Sequence, residues 1–310
     1  MEPQLETLRD ILHINALCKQ LPPTVDTLIL LPHRDLHRFP LHTLFPDRFT
    51  ASYLPSLQIG LNLRDRAKND RYSPLLNVDD PETDQPAMPF AQLESAIVRQ
   101  LVQHSIHLSP TEASLDKVVH ALEASYKTFH FTGHGAYNAR KPEESAIALT
   151  DGLLTAKTIS HLNLSSYKLV CLAACETALT GKDGITTEYV GLASAFLKAG
   201  AANVLSTLWQ VDEISSTWLM LQFYQRLLAG DTPATALKQS QHWLRTITWA
   251  ELAAWITELS QLPGLEPGIV DRLTARAKNT LKEGSTIGLN QPIKYSNPYY
   301  WAAFTLTGQG

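Results

Sequence analysis

Two short apolar runs constrain this chain more than any other feature of it. Tyr126 to Gly135 reads YKTFHFTGHG, and Lys168 to Thr177 reads KLVCLAACET. Each is too short for a core helix and rich in β-branched, aromatic or small residues. Each turns polar at its C-terminal end, as a strand buried on both faces does. Near-continuous apolar strands belong to parallel sheets, whose crossovers cover both faces. The chain is therefore expected to be α/β. If the two strands are neighbours, His134 and Cys175 emerge at the same C-terminal edge, where open α/β sheets place their ligands.

The remaining pattern fits that frame. Leu5 to Gln20 has helical spacing and stops at Pro22-Pro23, after which Thr27 to Leu31 reads as a strand. A second strand is predicted at Ala51 to Leu54. Residues 64–89 are polar and proline-rich, with Asp79, Asp80, Glu82 and Asp84 in one acidic run, and are predicted to be a long surface loop. A helix over Phe90 to Val102, a strand over Ser105 to Leu108 and a helix from Thr111 lead into the histidine strand. Asp151-Gly152 between alternating runs signals a hairpin, and a short helix over Thr155 to Leu162 leads into the cysteine strand. Beyond it come a helix from Glu188 to Ala199 capped by Gly200, a strand from Asn203 to Leu208, and helices over Ile214 to Leu228 and Pro233 to Ile247. A helical pair lies within Trp249 to Lys282, and an aromatic strand over Tyr299 to Leu306 ends the chain. The expected fold is a mostly parallel sheet of about six strands with helices on both faces.

Composition excludes several functions. The net charge of −4, from 26 basic and 30 acidic residues, gives no electrostatic reason to expect nucleic acid. No run approaches the roughly 18 apolar residues of a membrane span, and MEPQLETLRD lacks a signal pattern, so a cytoplasmic location without membrane partners is expected. Three cysteines, Cys18, Cys171 and Cys175, do not make a disulfide framework. His33, His37 and His42 invite a metal reading, but Pro32 and Pro40 break any helix that would align them, and no second ligand pair completes a tetrahedral set. Neither a metal nor a cofactor is expected.

His134 and Cys175 carry the chemistry. A neutral thiol is a poor nucleophile; a neighbouring imidazole that stores its proton leaves a thiolate and later protonates the leaving amine. The backbone N–H groups of Gly135 and Cys175 are candidates for an oxyanion hole, which contributes about 3 kcal/mol per donor to acyl transfer. No side chain is evident as a third member, and none is needed if packing and a backbone carbonyl hold the imidazole.

FHFTGHG, followed by Cys175 in LAACETAL 41 residues after His134, resembles the CHAT family, the caspase-like domains associated with the cyanobacterial regulator HetF and with tetratricopeptide repeats. LILLPHRDLHRFPLHTLF, VGLASAFLKAGAANVLSTLWQVDE, YQRLLAGDTPATALKQSQ and NPYYWAAFTLTG resemble it too. The resemblance implies the caspase-hemoglobinase fold, a three-layer sandwich shared with caspases, gingipains and separase. It divides the chain into an N-terminal helical extension over 1–24 and a caspase-like domain over 25–310, with a polar loop at 64–89 and a helical insertion at 246–297. A place as the C-terminal domain of a HetF-type protein would put tetratricopeptide repeats outside these residues. The implied activity is a cysteine endopeptidase acting on a protein partner in a regulatory role, with His134 as base and Cys175 as nucleophile. Ala173 and Thr177 stand where the caspase signature has glutamine and glycine, so cleavage after aspartate is not implied. Separase has an acidic residue shortly after a similar LW-x-V motif that receives a substrate arginine. Asp212 and Glu213 take this place here, with Asp183 a further candidate. A cap for the helix starting at Ile214 is the alternative reading of this acidic pair. The alternative to an enzyme is a silent interaction module binding a protein partner by strand addition.

Overall fold

The computed structural model describes residues 1–64, 72–136, 138, 141–174 and 188–310. The chain begins with helices α1 (Glu2–Ile11) and α2 (Ile14–Gln20), and continues through β1 (Thr27–Leu30), β2 (Thr50–Tyr53), α3 (Leu57–Arg64), β3 (Leu75–Asp79), α4 (Pro89–Val102), β4 (Ser105–Leu108) and α5 (Leu115–Leu122). The histidine strand β5 (Thr128–Gly133) is followed by β6 (Gly135–Ala136), β7 (Ala146–Leu149), β8 (Gly152–Thr155) and α6 (Ala156–Ile159). Next come the cysteine strand β9 (Leu169–Ala174), α7 (Glu188–Ala199), β10 (Asn203–Thr207), α8 (Glu213–Leu228), α9 (Pro233–Thr246), α10 (Trp249–Leu259), α11 (Pro267–Ile287) and β11 (Phe304–Gly308).

Eight strands form one sheet in the order β1-β2-β11-β10-β9-β5-β3-β4, and β6-β7-β8 form a small antiparallel one. Within the large sheet only the β10–β11 pair is antiparallel among the described residues. Alternation along the central strands divides the core in two. Phe129 and Phe131 of β5 and Val170 and Leu172 of β9 pack with Val118 of α5, Ile159 of α6 and Phe196 of α7. Leu169, Cys171 and Ala173 of β9 face the other way, onto α4, α8, α9, α10 and α11. The result is three layers with the sheet in the middle. Helices α1 and α2 lie apart from both cores, and Leu5, Leu8 and Leu12 pack against Leu41, Leu44 and Tyr53.

Two expectations need correction. Residues 64–89 are not simply a surface loop: β3 lies inside them, buried along its whole length, and Asp79 and Asp80 are 3% and 5% exposed. Asn77 and Asp79 break the apolar run of LLNVD, yet each has a side-chain partner in the interior. The Asn77 side-chain amide donates to Ser95 Oγ at 2.6 Å, and Asp79 meets His107 of the neighbouring strand β4. This strand helps raise the count from the expected six to eight. The last strand starts at Phe304 rather than Tyr299, because Pro298–Tyr300 forms a 3-10 turn. By contrast, α10 starts on a full capping box between Thr248 and Glu251, and Gly200 ends α7 at φ +120°.

Candidate active site

The β5–β9 ladder keeps one register from Thr128↔Leu169 to Gly133↔Ala174, every pair 41 residues apart. His134 is the next residue of its strand. Cys175, next on the other, lies outside the described residues, as does Asp183. His134 is 4% exposed. Its Nε2 lies 3.0 Å from the carbonyl oxygen of Pro86. A carbonyl only accepts, so in the neutral ring Nε2 carries the proton and Nδ1 the lone pair. Nδ1 is buried without a hydrogen-bond partner among the described residues. The imidazole is therefore held through Nε2, with the Nδ1 lone pair uncommitted among the described residues.

Glycine is needed on the strand side of this histidine. A Cβ on Gly133 would come 3.0 Å from the Pro81 ring and 3.0 Å from the Phe131 ring, so the segment leading to Pro86 crosses closely over the end of β5. On the other side, Gly135 pairs with Ile147 in β7, and the Ala148 N–H donates to the His134 carbonyl at 2.8 Å. That bond makes Gly135–Ile147 a non-hydrogen-bonded pair, so the Gly135 N–H takes no part in the β6–β7 ladder.

The acidic pair after β10 has divided tasks. The Asp212 side chain accepts from the Ser215 N–H at 2.9 Å, capping its own helix α8. Glu213 instead reaches the start of α4, where Oε1 accepts from Phe90 N–H at 2.7 Å and Ala91 N–H at 3.3 Å. Burial, opposed by these two bonds and reinforced by Asp80 and Asp212, raises the Glu213 carboxyl above its ordinary range.

Beneath His134, on the same face of β5, lies a polar network that the sequence does not announce. His130 Nδ1 is 3.1 Å from the Tyr224 hydroxyl, and Nε2 is 2.9 Å from Thr132 Oγ1. The same Nε2 is 3.2 Å from Glu94 Oε1, with side chains 0% and 1% exposed. Burial raises the Glu94 carboxyl. It also raises the Cys171 thiol, which stays a neutral core group as a buried cysteine does. Among the described residues no cluster of side chains suits a metal ion, and no helix is long and apolar enough to cross a membrane.

The family model of the CHAT domain matches residues 2–309. The chain belongs to the CHAT domain family. The match takes in α1 and α2 as well as the sheet. Among solved structures this CHAT domain is similar to the complex of Porphyromonas gingivalis RgpB pro- and mature domains, with 10% identity and a TM-score of 0.50 over 99% of this chain and 69% of that one. It is also similar to the Arg-specific cysteine proteinase gingipain R, with 11% identity and a TM-score of 0.46 over 84% of this chain and 54% of that one. The Saccharomyces cerevisiae separase–securin complex matches with 16% identity and a TM-score of 0.48 over 67% of this chain and 14% of that one. The CHAT domain thus spans about half of the gingipain R chain and a small part of the separase complex chain. A comparison with curated proteins found no match. The likeness to the RgpB complex is one of fold: a large, mostly parallel sheet flanked by helices.

Sequence reasoning did not find Pro86, Asp80 or the His130 network. A backbone carbonyl leaves no side-chain signature, so Pro86 had no signal to offer. His130 had one: it stands four before His134, and alternation puts both on one face of the strand.

Proposed function

We propose that this CHAT domain is a caspase-like cysteine endopeptidase that cleaves a specific protein partner, with His134 as general base and Cys175 as nucleophile. The observation that carries the proposal is the imidazole at the edge of the sheet, its Nε2 tied to Pro86 and its Nδ1 buried and unspent. Cys175 is bonded to Ala174, whose strand partner is Gly133. The β5–β9 ladder supports the pairing of the two residues in one site, since Gly133 and Ala174, which precede His134 and Cys175 in sequence, are strand partners.

In this mechanism Nδ1 takes the proton from Cys175 Sγ, and the thiolate attacks the peptide carbonyl carbon. The Gly135 and Cys175 N–H groups receive the oxyanion. The C–N bond then breaks as the imidazolium gives its proton to the leaving amine. Water, deprotonated by Nδ1, hydrolyses the thioester and returns the proton to sulfur. Pro86 keeps the other nitrogen protonated throughout.

A preference for cleavage after a basic residue is retained for Asp212, which is only half-buried, with Asp183 as a weaker candidate. Glu213 is weaker too, since its Oε1 already serves two N–H groups. Substrates differing only in arginine or norleucine at the cleavage site test this, and equal turnover refutes it. The reaction would be cytoplasmic and regulatory, with tetratricopeptide repeats outside these residues as further partners.

The test is mass spectrometry of new peptide termini after incubating wild type or Cys175→Ala with lysate of the source cells. Termini made by the wild type alone are expected. Identical termini with both proteins refute the proposal.

A further inference from the structure

The Pro86 carbonyl is useful to His134 only if it stays in place, and it belongs to a segment with no regular structure between Asp80 and Met88. Such a segment would ordinarily sample many conformations. Here it is closed on itself and fastened at both ends. Asp80, just beyond β3, donates its N–H to the Thr132 carbonyl of β5 at 2.7 Å. Its side chain turns back across the segment, and Oδ2 accepts from Met88 N–H at 2.8 Å and from Gln92 Nε2 at 3.1 Å. Asp80 does this at φ +42°, in the left-handed region that a non-glycine residue avoids unless its surroundings hold it there. It is also 5% exposed, which is rare for a carboxylate and here is compensated by these bonds.

The far end is fastened from another part of the chain. Glu213 accepts from the N–H groups of Phe90 and Ala91, and Thr217 of the same helix donates to the Phe90 carbonyl at 3.3 Å. Arg272, in α11, donates to the Pro89 carbonyl. Pro86 thus sits inside a loop whose first residue bonds its last, with the following helix start pinned by α8 and α11.

We infer that Asp80 and Glu213 are positioning residues for His134: they hold the 80–91 segment so that the Pro86 carbonyl fixes the proton on Nε2 and leaves Nδ1 as the base. Neither carboxylate acts on substrate in this role. A base displaced by about 1 Å can cost a reaction about 100-fold, and loss of an outer-shell contact behind a metal-ligating histidine, the nearest analogue, typically costs about 10- to 100-fold. The kinetic part of the inference rests on the peptidase proposal; the tautomer part does not.

The experiment compares D80A, E213A, D80N and E213Q in the full chain. D80N and E213Q keep a side-chain oxygen that accepts from the same N–H groups. The first readout is the nitrogen spectrum of protein labelled with 15N-histidine, with the His134 signals assigned by their loss in His134→Ala. The wild type is expected to show the Nε2-protonated tautomer. D80A and E213A are expected to mix the two tautomers, and D80N and E213Q to restore most of the wild-type pattern. The second readout is cleavage of a substrate found from the new termini. There kcat is expected to fall about 10-fold in D80A and E213A with KM unchanged. Val118→Ala, in the core on the opposite face of the sheet, controls for loss of stability alone. An unchanged tautomer in both alanine variants overturns the inference, and so does an equal change of tautomer or kcat in V118A. A wild type that cleaves nothing refutes the peptidase proposal, while the tautomer result still decides the role of Asp80 and Glu213.

Discussion

Glu94→Gln separates two accounts of the buried network under the candidate active-site edge. Glu94 and His130 are almost wholly buried, 3.2 Å apart. Two effects oppose each other there: removal of the carboxylate from water favours its protonated form, while His130 and Thr217 favour the charged one. Desolvation is the larger effect, and nearby Glu213 adds to it, so the carboxyl is raised above its ordinary value of 4.5. A carboxyl raised in this way binds its proton more tightly when folded than when unfolded. Its contribution is therefore complete below about pH 4.5 and is lost as pH rises through the interval up to the folded value. The limiting slope is about 1.4 kcal/mol per pH unit for one proton. Glutamine has the same shape and does not titrate. Near pH 4 the two proteins should differ by about 1 kcal/mol or less, the net worth of one altered hydrogen bond. Above about pH 4.5 the variant should then gain on the wild type until the folded value is passed. Urea unfolding followed by fluorescence of the six tryptophans measures this at each pH. The difference between the curves cancels most groups the two proteins share. If Glu94→Gln instead loses ground as pH rises, the charged pair with His130 outweighs desolvation and the reasoning is wrong.

Other consequences are equally direct. His42 is half-buried with its Nδ1 2.8 Å from the Tyr53 hydroxyl, and desolvation pushes it down to about 4. The unfolded chain then binds a proton that the folded one refuses, so stability should fall by about 3 kcal/mol as pH drops from 6.5 to 4. His42→Gln should flatten that limb, and an unchanged acid limb would remove His42 as its source. Phe129→Ala opens the core where Phe129 meets Phe131 and Phe196, at centroid distances of 6.5 and 5.9 Å. It should cost about 3 to 5 kcal/mol in denaturant titration, and less than about 1.5 kcal/mol would mean that the cluster is loosely packed. Gly200→Ala forces a Cβ to 2.9 Å from the Ser165 backbone nitrogen at φ +120°. It should destabilise by more than about 1 kcal/mol, whereas any stabilisation, as a Gly→Ala change gives at a permissive site, would contradict the backbone geometry.

What the sequence disclosed follows the kind of signal each feature leaves. Strands β5 and β9 are continuous apolar runs, so they were legible, whereas His130 went unread although alternation puts it on the same face as His134. Strand β3 was hidden because Asn77 and Asp79 interrupt it; their partners, Ser95 and His107, are brought near only by the fold. Asp212 and Glu213 look alike as neighbours in sequence. Asp212 caps its own helix, a local arrangement that a helix-start pattern signals. Glu213 serves the start of α4, 123 residues from Phe90, and no local pattern encodes such a partner. The Pro86 carbonyl is invisible for a different reason: every residue has one, and only its placement gives it a role. One of the eight strands, β3, was missed through the same limit, since a buried polar residue whose partner lies far off in sequence reads as loop.

The central claim is that His134 makes Cys175 a thiolate, and the most direct measurement is the rate at which iodoacetamide alkylates each cysteine as a function of pH, resolved by peptide mass spectrometry. The wild type should alkylate Cys175 much faster than Cys18 at pH 6, where an ordinary thiol with a pKa near 8.5 is almost wholly protonated. His134→Ala should bring the Cys175 rate down to that of Cys18. Equal rates at the two cysteines in the wild type, unchanged by His134→Ala, would contradict it.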